Sequence, residues 1–119
     1  MNFPRITFAQ TVEKIVALLD EVINSNLKWK QDDADDGRMT KAGAMALKFK
    51  VLQWAASPTF NSDKKWHPQA DEYTCYGNYS AQRWEAAKAA GEAFFAEVQR
   101  QGGYSLIQPE EDTHRARRL

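Results

Sequence analysis

Residues 40–58 read TKAGAMALKFKVLQWAASP, and this stretch determines the fold class. Thr40 is a typical helix N-cap, and the residue before Pro58 is disfavoured in helical conformation, so a helix is predicted over about residues 40–57. Its apolar side chains cover most of the circumference and leave a narrow polar strip of Lys41, Lys48, Lys50 and Gln53. A helix of this kind is expected to be flanked by other helices.

Two amphipathic stretches predict a helix on either side of this one. Thr7 and Gln10 have the spacing of a capping box, and apolar residues recur every three or four positions after them, which predicts a helix over about residues 8–24. Ser80 is the expected N-cap of a third helix, over about residues 81–101, which the Gly102-Gly103 pair terminates. Three main helices and long loops predict an all-α helical scaffold.

Length and charge restrict the function classes. The 119 residues suffice for one small domain or for part of a larger one. The 16 basic and 16 acidic side chains cancel, so the chain lacks the broad positive field that a nucleic-acid partner requires, and none is expected. The single cysteine, Cys75, cannot form an internal disulfide and leaves the redox compartment open.

The loop between the second and third helices, residues 59–79, is unusually long for a compact domain and rich in aromatic residues. An aromatic face can stack on the C–H face of a sugar ring, and a tyrosine hydroxyl can bind sugar hydroxyls. Each ring could equally anchor the loop to the helices. The candidate glycan-binding residues are Trp66, Tyr73, Tyr76 and Tyr79.

Five other aromatic residues follow the helical stripes and are expected in the core. They are Phe49, Trp54, Trp84, Phe94 and Phe95. The second and third helices suggest a helical repeat, but the tetratricopeptide spacing is not met, because Lys88 stands four residues after Trp84 where that motif has glycine.

The acidic cluster before Gly37 does not predict a metal site. Aligning Gly37 with the sixth position of an EF-hand loop places Asp32 first, but Ala34 and Gly43 then fall at ligand positions. A solvated loop preceding a helix N-terminus is the better interpretation.

No catalytic apparatus is predicted. Cys75 and the two histidines, His67 and His114, stand in loops or tail, and no third group that would orient a nucleophilic pair is apparent. Neither an enzymatic activity nor a cofactor is expected.

The run from Gly37 to Asn61 resembles the SusD/RagB family. The family's pattern in this region reads approximately G-R-x-T-K-x-A-A-x-A-L-K-x-R-V-L-L-x-A-A-S-P-L-F-N. Residues 8–23 and 83–90 are similar to its preceding and following helices. The chain departs from the pattern at Lys50, Gln53 and Thr59, where arginine, leucine and leucine are common.

The resemblance implies a helical scaffold with divergent tetratricopeptide-like helix pairs. Family members are outer-membrane lipoproteins of Bacteroidota that capture oligosaccharides or polysaccharides at the cell surface for a SusC-like TonB-dependent transporter, and they are not enzymes. They are several times longer and carry a lipoprotein signal and a lipidated cysteine. Residues 1–119 are therefore expected to be an internal piece of a SusD-like helical domain, with membrane association only through the lipid anchor of the full-length protein.

A hypothesis from another class is a helical protein-interaction scaffold. In that case the chain contacts the transporter without binding sugar itself, as helix-repeat surfaces often contact proteins.

Overall fold

The computed structural model describes residues 3–108. Within this range the chain forms α1 (Phe8–Ile23), α2 (Lys41–Ala56) and α3 (Ala81–Gln101), with a short 3-10 helix at Asp33–Asp35. The described residues contain no strand, which confirms the all-α prediction. Each helix ends within one residue of its predicted position.

The N-termini of α1 and α2 are capped as their sequences predict. The Thr7 hydroxyl accepts a hydrogen bond from the Gln10 backbone N–H at 3.2 Å, and the Thr7 N–H donates to Gln10 Oε1 at 3.0 Å, completing the capping box. The Thr40 hydroxyl accepts from the Gly43 N–H at 2.9 Å. These bonds satisfy amide groups that have no partner inside the helix.

The two ends of α3 differ from each other. Ser80 occupies the N-cap position, but its side chain makes no capping bond. At the other end Gly102 has a φ of +67° and donates its N–H to the Val98 carbonyl at 2.9 Å. Glycine adopts this backbone conformation without a Cβ clash, so the predicted glycine C-cap is confirmed.

Helix α2 lies between the other two and runs antiparallel to both. The α2 N–H of Lys41 bonds the Lys28 carbonyl at 2.8 Å, and the neighbouring indole of Trp29 donates to the Gly102 carbonyl at the end of α3. On the other side, Lys48 of α2 pairs with Asp20 of α1 at 2.6 Å. Within residues 3–108, α1 and α3 make no contact with each other.

The core is thin and consists mainly of alanine. Its buried apolar residues are Val12, Leu19, Ala42, Ala44, Ala55, Ala56 and Ala87. Gly91 of α3 is also buried, and a Cβ at this position would lie 2.9 Å from the Phe49 ring of α2. The small side chains let α2 and α3 approach closely.

This close approach contradicts part of the predicted core. The exposed fractions are 63% for Trp54, 41% for Trp84 and 58% for Phe95, so the prediction that these three rings are buried is wrong. Phe49 and Phe94 are half-buried. The contact between the helices is made by alanines and by the Phe49 ring against Gly91, and Trp54, Trp84 and Phe95 are left largely exposed.

Candidate functional site

The loop that joins α2 to α3 is closed at its base by one buried asparagine, Asn61, which is 2% exposed. Its Nδ2 donates to the Ala56 carbonyl at 3.2 Å and to the Ser80 carbonyl at 3.1 Å. Its Oδ1 accepts from the Ser80 N–H at 2.8 Å and from Arg83 at 2.7 Å. The end of α2 is thereby joined to the start of α3 through a single side chain.

Arg83 extends this junction into the loop. Its Nη1 also donates to the Asn78 carbonyl and its Nη2 to Asn78 Oδ1, each at 2.8 Å. The guanidinium carbon lies 3.6 Å from the centroid of the Tyr76 ring, which is cation–π stacking distance. We call Asn61, Asn78, Ser80 and Arg83 the loop latch.

Tyr76 packs into the scaffold. Phe8 stacks on Phe60 with centroids 4.7 Å apart and meets Tyr76 edge-on at 5.0 Å, which ties the start of α1 to the loop. Burial raises the pKa of the Tyr76 hydroxyl above its usual range, although nearby Arg83 acts in the opposite direction and Glu13 adds to the rise. Of the four predicted glycan-binding residues, Tyr76 is therefore the one whose contacts fix the loop to the helices.

The middle of the loop is organised by Asp71. Its Oδ1 accepts from the Tyr73 N–H at 3.0 Å, and its own N–H donates to the Thr74 hydroxyl at 3.0 Å. The Asp71 carbonyl accepts from the N–H groups of Thr74 and Cys75. These short-range bonds are those of an Asx turn, which gives the loop a defined path without helix or strand.

The other three candidate rings remain accessible. The exposed fractions are 57% for Trp66, 37% for Tyr73 and 55% for Tyr79. The Trp66 indole N–H donates to the Pro58 carbonyl at 2.9 Å, while Lys64 Nζ lies 4.2 Å from its ring centroid.

Tyr73 is contacted by Arg5, whose guanidinium carbon lies 5.0 Å from the ring. Within residues 3–108, no ring–ring contact joins any two of the four predicted residues. The structure therefore places these rings along one loop, without stacking among them in the described part of the chain.

Sequence reasoning missed a cleft at the base of this loop, bordered by Trp54 and Trp84. Both rings were expected in the core. The exposure of Trp54 could have been predicted from the sequence. Gln53 belongs to the polar strip of α2, and adjacent helical residues lie only about 100° apart around the axis, so Trp54 lies beside that strip.

The acidic segment forms exposed ion pairs with neighbouring basic residues. Asp32 pairs with Lys28 at 3.0 Å, and Asp35 pairs with Arg38 at 3.4 Å. In the part of the chain that the structure describes, no group of three or more His, Cys, Asp or Glu residues could hold a metal ion.

The residues weighed as a nucleophilic pair are engaged elsewhere. His67 Nδ1 accepts from the Gln69 N–H at 3.1 Å, and Cys75 Sγ lies 3.5 Å from the Asp71 carbonyl oxygen. His114 lies outside the described residues. That the protein is not an enzyme stays a prediction.

Comparison with known proteins leaves the family open. No family model matches this chain, and no curated protein matches it. None of the three described helices has the combination of length and apolar character that a membrane crossing requires. Membership of the SusD/RagB family therefore stays a prediction from the motif string.

Proposed function

We propose that this chain belongs to a glycan-binding component of a nutrient uptake system. In this role it captures oligosaccharides at the cell surface, at the outer membrane, for a SusC-like TonB-dependent transporter. The proposal rests on the SusD/RagB-like string between Gly37 and Asn61 and on the exposed rings of the aromatic loop.

The exposed rings of the aromatic loop are the main structural support for glycan binding. Trp66, Tyr73 and Tyr79 present open aromatic surface on a loop whose base is held by the loop latch and whose centre is held by the Asp71 turn. A ligand that stacks on such rings does not have to order the loop first, which lowers the entropic cost of binding. The zero net charge of the chain is compatible with a neutral ligand such as a sugar.

Affinity electrophoresis of the 119-residue chain in gels containing a neutral polysaccharide tests this function. Wild type should be retarded by at least one of starch, xylan and galactomannan. The Trp66→Ala and Tyr79→Ala variants should migrate faster than wild type in the same gel, because each removes a stacking surface.

Tyr104→Ala is the matched control. Tyr104 is an exposed tyrosine, 42% accessible, that packs against Trp29 near the C-terminal end of α3, away from the loop. Its substitution should leave the retardation unchanged. Equal, unretarded migration of wild type and all variants in every gel would refute glycan binding by this chain.

We propose, in addition, that the helices form divergent tetratricopeptide-like pairs. The antiparallel packing of α2 on its two neighbours supports this, since tetratricopeptide units are antiparallel helix pairs. The small residues Ala87 and Gly91 at the α2–α3 interface allow the close approach that such pairs have.

A second candidate function is a protein-interaction scaffold that contacts the transporter without binding sugar. A groove of about 380 Å³ between α1 and α2 favours it, because its walls are almost wholly apolar. They include Phe8, Val12, Ile15, Leu47, Val51 and Trp54. Exposed apolar surface of this kind is typical of protein contacts.

A pull-down with a purified SusC-like transporter separates the two functions. Under the scaffold hypothesis, Ile15→Glu should abolish capture, because Ile15 lines the groove, and added polysaccharide should have no effect. Leu18→Glu is the matched control, since Leu18 is an exposed apolar residue of the same helix outside the groove. Equal capture of wild type and both variants would refute this role of the groove.

A further inference from the structure

Two exposed tryptophans border a cleft where the end of α2 meets the start of α3. Trp54 and Trp84 form part of its walls, and Phe60, near the start of the loop, also lines it. The cleft has a volume of about 510 Å³, which is within the range of roughly 300–1,000 Å³ that small-molecule sites occupy. It includes none of the four residues predicted as glycan contacts.

Helix packing explains why both rings face solvent. Ala55 and Ala56 of α2 are buried, as is Ala87 of α3, so these small residues form the contact between the helices. Trp54 directly precedes Ala55, and Trp84 lies about one helical turn before Ala87, yet both rings are exposed. Their large apolar surfaces consequently flank the seam between α2 and α3.

The cleft is built on supported elements. Phe60 stacks on Phe8 of α1 at 4.7 Å, and the Ser57 hydroxyl donates to the Trp54 carbonyl at 2.6 Å. Asn61 joins the two helices directly beneath, through its bonds to Ala56 and Ser80. A ligand in the cleft would meet a surface whose geometry is set before binding.

The lining combines aromatic faces with uncharged hydrogen-bonding groups. Its polar side chains are the Gln53 amide and the hydroxyls of Ser57 and Thr59, and no ionisable side chain lines it. Within residues 3–108, the side chains of Gln53 and Thr59 make no hydrogen bond. They can therefore donate to and accept from a ligand.

We propose that the Trp54–Trp84 cleft is a binding site for a neutral saccharide, separate from the rings of the aromatic loop. A pyranose unit stacks its C–H face on an indole and exchanges hydrogen bonds with the Gln53 amide and the Thr59 hydroxyl. The absence of a cation from the lining selects against an acidic sugar, whose carboxylate would lose hydration without a compensating partner. The inference rests on the proposed function for the class of ligand.

The test is affinity electrophoresis and intrinsic tryptophan fluorescence titration of the full chain. The gels contain starch, xylan, galactomannan or polygalacturonate, and the titrations use the matching oligosaccharides. Trp84→Ala and Gln53→Ala should each weaken binding of a neutral glycan, with Trp84→Ala raising Kd about tenfold or more. Trp54 also lines the α1–α2 groove, so its substitution is less diagnostic.

Controls separate this site from the loop. Gln53 is exposed on α2, so Gln53→Ala tests the cleft with little risk to folding, and circular dichroism checks that Trp84→Ala keeps the helical content of wild type. Trp84→Phe should recover part of the affinity, because it restores an aromatic face. Trp66→Ala removes only a loop ring, so it should weaken binding less than Trp84→Ala does.

Three results would overturn the cleft, its preference for neutral sugars, or the proposed function. Wild-type binding that Trp84→Ala and Gln53→Ala leave unchanged, while Trp66→Ala abolishes it, would overturn the cleft and leave the proposed function standing. Polygalacturonate bound as tightly as the neutral glycans would overturn the preference for a neutral sugar. A wild-type chain that binds none of the four polysaccharides would overturn the proposed function together with the cleft.

Discussion

Arg83 Nη1 donates to Asn61 Oδ1 at 2.7 Å, across 22 residues of sequence. Through this contact the first turn of α3 is joined to the segment that follows α2. The same asparagine oxygen accepts from the Ser80 N–H, the residue whose own side chain leaves the α3 N-terminus uncapped. The loop latch thus holds the start of α3 by tertiary hydrogen bonds at a position where the N-cap side chain makes none.

Removal of Asn61 should destabilise the protein more than any substitution at an exposed asparagine. Asn61→Ala removes four hydrogen bonds and leaves the partly buried polar groups of Ser80 and Ala56 without this partner. We expect the free energy of unfolding to fall by about 2–3 kcal/mol. Urea denaturation followed by circular dichroism measures it.

Asn26→Ala provides the matched control, since Asn26 is exposed and lies outside the latch. Its effect should stay within about 0.5 kcal/mol. A loss at Asn61 no larger than the loss at Asn26 would show that the latch contributes little to stability.

Ionisation of Tyr76 should weaken the fold at alkaline pH. Burial raises the folded-state pKa above the unfolded value of about 10, so folding favours the neutral phenol. This contribution is fully present below about pH 10 and is lost as the pH rises through the folded-state pKa. Urea denaturation across this range should show the loss in wild type.

The comparison for this experiment is Tyr76→Phe. Phenylalanine keeps the contact with Phe8 but carries no hydroxyl, so the difference in stability between wild type and variant should change with pH above about 10. A constant difference up to the alkaline unfolding limit would contradict the raised pKa.

Gly91→Ala should destabilise the α2–α3 interface although alanine is the better helix former. The new Cβ would lie 2.9 Å from one Phe49 ring carbon and 3.0 Å from another, so the ring has to move. Overpacking of this kind costs about 1–3 kcal/mol, against a gain of at most about 1 kcal/mol in helix propensity. A net fall of about 1 kcal/mol in the free energy of unfolding is expected from the difference between the two effects.

A double-mutant cycle with Phe49→Leu checks the cause. In the Phe49→Leu background the smaller side chain leaves room for the Cβ, so Gly91→Ala should cost less there or become stabilising. The same cost in both backgrounds would show that the Phe49 ring is not what Gly91 accommodates.

Amide protons of α2 should exchange rapidly for a central helix. The buried core consists of Val12, Leu19 and several alanines, and no large side chain among the described residues is fully buried. Such a core yields little hydrophobic free energy, because stabilisation scales with apolar area. The global stability that limits exchange in α2 should therefore be low.

Hydrogen exchange at the α2 amides gives a free energy of opening, which is compared with the free energy of unfolding from urea denaturation. The two values should agree and both should be small for a domain of this length. Slow exchange throughout α2 would contradict the prediction.

The helices and their ends could be predicted because their causes are local. The capping bonds of Thr7 and Thr40 each span three residues, and the C-cap at Gly102 depends on backbone freedom at a single position. The prediction of three helices follows from interactions of this range.

The candidate site was only partly predictable. The aromatic loop and its exposed Trp66, Tyr73 and Tyr79 were found from composition. The anchoring of Tyr76 between Phe8 and Arg83 was not, because these residues are separated by 68 positions on one side and seven on the other, and no periodic pattern connects them.

The exposure of Trp54 and Trp84 was not predicted from the sequence either, since both rings were expected in the core. A helical stripe indicates that apolar side chains share one face, but burial of that face requires a neighbour at the right distance. Here the α2–α3 contact is made by alanines and by the Phe49 ring against Gly91, and Trp54 and Trp84 remain exposed.

The amino-acid sequence alone therefore determined the helices, their ends and the polar or aromatic character of the loops, because these depend on interactions within about four residues. The tertiary structure alone decided which aromatic rings reach solvent, how Asn61 and Arg83 close the loop, and where a cleft forms. Those properties depend on contacts between different helices and the loop, such as Asn61 with Arg83 across 22 residues, and the packing of the three helices sets their distances.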